Sequence, residues 1–204
     1  FIFGIIQTCC MIIAVFIFWK VFDKRPIKDL GFTNPLAHKR DFIYGLIFGI
    51  VSISAVFIVL LASGQVTVVN GFLEPRFSWV LITDLILFIM VGINEELFAR
   101  GYCMTVLGQT RSTWVIVVVS SVIFSLIHCL NPNISFMGLL NIFLVGILFA
   151  FMFLKTGNLW MPIGFHITWN YFQGSIFGFE VSGQKFGGLY QLNHQALMYP
   201  LQEP

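Results

Sequence analysis

Apolar residues run along this chain in long stretches rather than in the alternating or 3.6-residue stripes of a domain that folds in water. A helix that crosses a bilayer needs about 20 mostly apolar residues. Six stretches approach that length: Ile2–Phe22, Phe42–Ala62, Trp79–Leu107, Trp114–Leu130, Phe136–Leu154 and Trp160–Phe177. The third is interrupted by charge, and the sixth is the least apolar. Polar or turn-forming segments separate them, at Asp23 to Asp41, Gly64 to Ser78, Gly108 to Thr113, Asn131-Pro132-Asn133 and Thr156-Gly157-Asn158. The pattern predicts an all-α polytopic membrane helical bundle of about six transmembrane helices, forming a single membrane domain over residues 1–204. The first run has no small-residue cleavage site after it and reads as a span, not a signal peptide. The Gly- and Gln-rich tail after Gly178 reads as irregular or interfacial.

Composition agrees. The chain is 58% hydrophobic and 10% charged, against about 25% charged in an average soluble domain, and its mean hydropathy is +0.90. It has too few polar groups to cover a surface in water, so the lipid bilayer is its partner and solvent. A formal charge of +2 argues against a nucleic-acid partner. Cys9, Cys10, Cys103 and Cys129 lie in or beside apolar runs without C-x-x-C spacing and read as small core residues, not a disulfide framework.

Lys and Arg placement orients such a bundle. The first connection and its flanks hold Lys20, Lys24, Arg25, Lys28, Lys39 and Arg40, while the second holds only Arg76 and the fourth none. The odd-numbered connections, with Arg111 and Lys155 at the third and fifth, are therefore expected in the cytoplasm, and the tail outside.

Against this background a few polar residues stand out. Glu95, Glu96 and Arg100 sit inside the third span, where each charge costs about 2.5–3.5 kcal/mol on insertion scales. Glu96 and Arg100 are four residues apart and share a helix face, so they can pair. Glu95 points about 100° away and has no local cation, which leaves its carboxylate free for general-base work. His128 in the fourth span and His166 and Asn170 in the sixth fall at comparable depths, about 9–21 Å from the nearest cytoplasmic end at 1.5 Å per residue. These depths predict one polar cavity open to the cytoplasm. Each residue alone has a structural explanation: Glu96 and Arg100 as a packing ion pair, His128 as a hydrogen-bonded core histidine, Asn170 as interhelical glue. Together, on three helices, they form a candidate functional site. His38 and His194 read as solvated, and Asp84 as an interfacial or structural acid.

Glu95-Glu96-x-x-x-Arg100, Phe124-x-x-x-His128 and His166-x-x-x-Asn170 resemble, in order and rough spacing, the three motifs of the CAAX protease and bacteriocin-processing family (CPBP, or Abi), which includes the type II CAAX prenyl endopeptidases. The stretch from Lys155 to Pro162 resembles the family's entry into its last motif. The resemblance covers about residues 79–172. It implies an intramembrane endopeptidase in which Glu95 and His128 activate water, His166 and Asn170 stabilise the oxyanion, and Arg100 holds Glu96. Its substrates would be peptides or proteins, with or without a lipid. The family has been described both as glutamate-type and as metallopeptidases. The expectation here is no cofactor, with zinc on Glu95, His128 and His166 as the other possibility. The H-E-x-x-H helix of most zinc peptidases is absent, as are G-x-S-G and G-x-G-D. A non-catalytic immunity or scaffold protein, or a proton-coupled carrier, is the alternative.

Overall fold

The computed structural model describes residues 2–194, and the expectation for the His194 side chain lies outside what is described. Its helices are α1 (Ile2–Phe18), α2 (Lys39–Ala62), α3 (Val80–Glu96), α4 (Met104–Leu107), α5 (Thr113–Leu126), α6 (Phe136–Thr156) and α7 (Trp160–Tyr171). A π-helical stretch, Leu97–Cys103, joins α3 to α4 into one rod, and further π turns extend α1 over Trp19–Asp23 and α7 over Phe172–Ile176. The six rods match the six apolar runs. Among the described residues, Gly4–Asp23, Lys39–Ala62 and Phe136–Thr156 are long and apolar enough to cross a membrane, and Thr113–Leu126 is a shorter apolar helix. The protein is an all-α integral membrane bundle.

Local chemistry sets the helix ends. Ser112 and Ser135 cap α5 and α6 by accepting from Val115 N at 3.4 Å and Gly138 N at 3.0 Å. Gly157 ends α6 with φ +67°, its N–H donating to Phe153 O at 2.8 Å. Outward faces stay apolar and exposed, with Ile47, Val51 and Ile58 of α2 as examples.

The contact that places α7 depends on small residues. The buried face of α2 reads Gly45, Gly49, Ile53, Phe57. A Cβ on Gly45 would collide with Met161 O, and one on Gly49 would meet Thr168 Oγ1 and Phe165 O. From the other side, a Cβ on Gly164 would lie 2.6 Å from Phe42 O. Because apolar burial gives helices little reason to associate in lipid, close backbone approach at small residues supplies the packing. Thr168 Oγ1 then donates to Leu46 O at 3.0 Å.

The connections collect at two ends. At one end, Leu159 N donates to Gly31 O at 3.1 Å, Trp160 Nε1 to Thr33 O at 3.1 Å, and Thr105 Oγ1 to Asp29 O at 3.4 Å. His38 was expected in solvent. It is half-buried, 3.2 Å from Asp41 Oδ2 and 3.1 Å from the Nδ2 of the fully buried Asn158, because the fifth connection folds against the first.

At the other end the tail folds back. β1 (Val66–Val68) pairs antiparallel with β2 (Leu192–His194), Val68 opposite Leu192, and Leu189 N donates to Ser175 O at 2.8 Å. The tail therefore holds long-range pairing where the sequence suggested irregular structure. Asp84 takes its structural role: it is buried and accepts from Ser175 Oγ at 2.9 Å. All four cysteines are free; Cys103 is buried, but Cys10 and Cys129 are exposed, so they face outward rather than packing in the core.

Candidate active site

The third rod supplies the charges. Arg100 is fully buried; its Nη1 donates to Glu96 Oε1 at 3.0 Å and its Nη2 to Gly146 O at 3.1 Å. Its guanidinium lies over the rings of Phe124 at 4.2 Å and Phe149 at 5.0 Å, within the range of a cation–π contact. The pair expected from i, i+4 spacing is thus present. The spacing could not reveal the carbonyl from α6 or the two rings that enclose the cation. The π-helical stretch begins immediately after Glu96, and such bulges recur at functional sites.

Glu96 passes the ordering on. Its Oε1 also accepts from His166 Nδ1 at 2.8 Å. His166 stacks on Phe149, with centroids 5.2 Å apart. Its Nδ1 carries the proton, because a carboxylate can only accept, so Nε2 faces inward.

His128 reaches the same place from the turn that follows α5. Its Nδ1 donates to Phe124 O at 2.7 Å, which leaves Nε2 as its free ring atom. That atom stands 3.6 Å from Glu95 Oε2, and His166 Nε2 stands 3.7 Å from the same oxygen. Two imidazoles and a carboxylate thus converge at distances too long for direct hydrogen bonds, close enough for one water on the cavity side to touch all three.

Glu95, His128, His166 and Asn170 line a cavity of about 360 Å³. Asn170 is one turn beyond His166 on α7, on the same face. All six residues singled out in the sequence are therefore gathered: four at the cavity and Glu96 with Arg100 buried behind it. Glu180, Ser182 and Gly183 of the tail line it as well; no local signal marked them, because they reach the cavity by the return of the tail across the bundle end.

The cavity does not border the basic first connection. Its lining includes Asn133, Ser135 and Glu180 to Gly183 and no residue of the basic first connection. Helix depth alone did not show that the other side of the cluster is filled by packed side chains. Among the described residues no group of three His, Cys, Asp or Glu side chains forms a metal-holding cluster.

The chain is 24% identical over 154 residues to the uncharacterized protein YyaK of Bacillus subtilis (strain 168), an alignment that covers 73% of this chain and 52% of that protein. The chain thus spans about half the length of the curated relative it matches. No solved structure gives a significant match. Residues 77–172 match the family model for type II CAAX prenyl endopeptidase Rce1-like proteins. The segment that carries Glu95, Glu96, Arg100, His128, His166 and Asn170 is therefore similar to the Rce1-like type II CAAX prenyl endopeptidases.

Proposed function

We propose that this protein is an intramembrane endopeptidase that hydrolyses peptide bonds with a water molecule activated by Glu95 and His128. One observation carries the proposal: His128 Nε2 and His166 Nε2 approach one oxygen of Glu95 at 3.6 and 3.7 Å, at a cavity of about 360 Å³. The similarity to a protease family over residues 77–172 supports the reaction class.

A water hydrogen-bonded from the cavity side to Glu95 Oε2 and His128 Nε2 gives a proton to the carboxylate as its oxygen attacks the scissile carbonyl carbon. The carbonyl oxygen takes the negative charge and receives hydrogen bonds from Asn170 Nδ2 and from His166 Nε2–H. Because Nδ1 donates to Glu96, Nε2 donates to the oxyanion in the imidazolium form of His166. Preorganised donors of this kind count most in a water-poor site. When the intermediate collapses, the C–N bond breaks and protonated Glu95 returns its proton to the leaving amine. Arg100 holds Glu96 and Glu96 holds His166, so both act by positioning.

The test is proteolysis by purified full-length protein on a peptide library, including peptides with and without a prenyl group. Glu95→Gln keeps the shape of the side chain and removes the base, so cleavage is expected to vanish while membrane insertion and folding persist. Undiminished cleavage by that variant would overturn the assignment. A carrier or immunity protein would show no cleavage by either form.

A further inference from the structure

The connections that line the cavity come from one end of the bundle only. Beyond the reactive group its lining runs along α6, with Asn141 and Val145, to Asn133 and Ser135 of the α5–α6 connection and to Glu180 and Ser182 of the tail. A second cavity of about 230 Å³ reaches Glu95, His128 and Asn170 past the other side of the tail, between Gln7 on α1 and Gln184. The turn that separates the two cavities, with Val181 bridged to Gln184, rests on the α5–α6 connection: a Cβ on Gly183 would collide with Pro132 O.

Toward the opposite end the site is closed. Leu30 and Leu159 are 0% exposed, and Trp19, Leu97 and Ile163 are 1% exposed, within one packed cluster. Glu96 and Arg100, both at 0%, complete the seal.

The closed end is the basic one. Lys20, Lys24, Arg25, Lys28, Lys39 and Arg40 lie in or beside the first connection, whereas the connections at the cavity end contribute Arg76 and Lys185. An excess of Lys and Arg marks cytoplasmic loops. Charge and packing together therefore put cytoplasm at the sealed end and the cavity mouth on the other face of the membrane.

We propose that the site takes its substrate from the non-cytoplasmic face, as a neutral or basic peptide segment. This rests on the hydrolase reading above. The charge preference follows from Glu95, a lining carboxylate in a cavity with no Lys or Arg in its lining among the described residues; Glu180, also in the lining, stands 3.9 Å from Lys185 Nζ. An acidic segment would bring like charges together in a poorly solvated space, which is costly. A cytoplasmic tail could not reach Glu95 without passing the Trp19–Leu159 cluster.

The experiment uses the full chain with its four native cysteines replaced by alanine, expressed in cells and probed with a small, positively charged, membrane-impermeant thiol reagent. Val145→Cys reports on the cavity, because Val145 lines it about 15 Å along α6 from Ser135 at 1.5 Å per residue. Lys28→Cys reports on the basic end. Val145→Cys should react at least tenfold faster in intact cells than in inverted vesicles, and Lys28→Cys should show the reverse ratio. Reaction of Val145→Cys from the same side as Lys28→Cys, or from neither side, overturns the proposal. In a second arm, paired reporter peptides with Lys or Asp beside the scissile bond are added outside intact cells carrying the unmodified chain. Cleavage at least tenfold faster for the Lys peptide is expected, and equal rates overturn the charge assignment. Labelling as expected with no cleavage of either peptide, outside intact cells or by the purified protein, would overturn the hydrolase reading instead of the location of the mouth.

Discussion

Arg100 offers the sharpest test of how the site is held. Its guanidinium makes one charged hydrogen bond to Glu96 at 3.0 Å and one bond to Gly146 O at 3.1 Å, between the rings of Phe124 and Phe149. Replacement by methionine keeps much of the volume and removes every polar contact. Glu96, at 0% exposure, is then a buried carboxylate whose remaining partner is His166. Removing one partner of a buried ion pair costs about 3–5 kcal/mol. The carbonyl bond and the ring contacts add to this, though not additively, since they share one group. Even about 3 kcal/mol changes the folded-to-unfolded ratio more than a hundredfold, out of a total stability of about 5–15 kcal/mol. Arg100→Met should therefore unfold at markedly lower temperature in detergent, read by fluorescence-detected unfolding and by loss of the monodisperse peak on gel filtration. Replacing a whole buried pair by neutral groups is often nearly neutral for stability. The double variant Glu96→Gln with Arg100→Met should accordingly recover most of the loss, yet stay catalytically poor because His166 no longer faces a carboxylate. Wild-type stability in Arg100→Met, or a double variant weaker than the sum of its two singles, would refute the pairing account.

Asn170→Ala should lower kcat by about 10²–10³, the usual cost of losing one oxyanion donor, with KM little changed in steady-state kinetics. An unchanged kcat would return Asn170 to a packing role. Chelator treatment should leave the activity of the purified protein intact, with no stoichiometric zinc in elemental analysis. Bound zinc with activity that follows it would instead make Glu95, His128 and His166 ligands. Gly49→Leu should disrupt the bundle by forcing α2 away from α7, where Thr168 and Phe165 stand against the bare backbone. Detergent-solubilised protein would lose thermal stability and activity together, and a stable variant would refute the close-packing account.

Sequence alone determined the six rods and their rough bounds, because crossing lipid demands long apolar runs and the breaks between them are chemically distinct. It also singled out the members of the candidate site. Charge in an apolar run is costly enough that Glu95, Glu96 and Arg100 stood out, and the helical repeat placed Arg100 beneath Glu96 and Asn170 beside His166. What it could not determine was the set of partners contributed by other helices. Gly146 O, the rings of Phe124 and Phe149 around Arg100, and the bond from His166 to Glu96 depend on how each rod is rotated, and that rotation is set by contacts such as Gly49 against Phe165. The same holds for Asp84 with Ser175 and for His38 with Asn158, which are 91 and 120 residues apart. The direction of the cavity belonged entirely to tertiary structure. Depth along a helix is the same whichever end is open. Only the packing of Trp19, Leu30, Leu97, Leu159 and Ile163 on one side, with the folded-back tail lining the cavity on the other, decides which end is sealed.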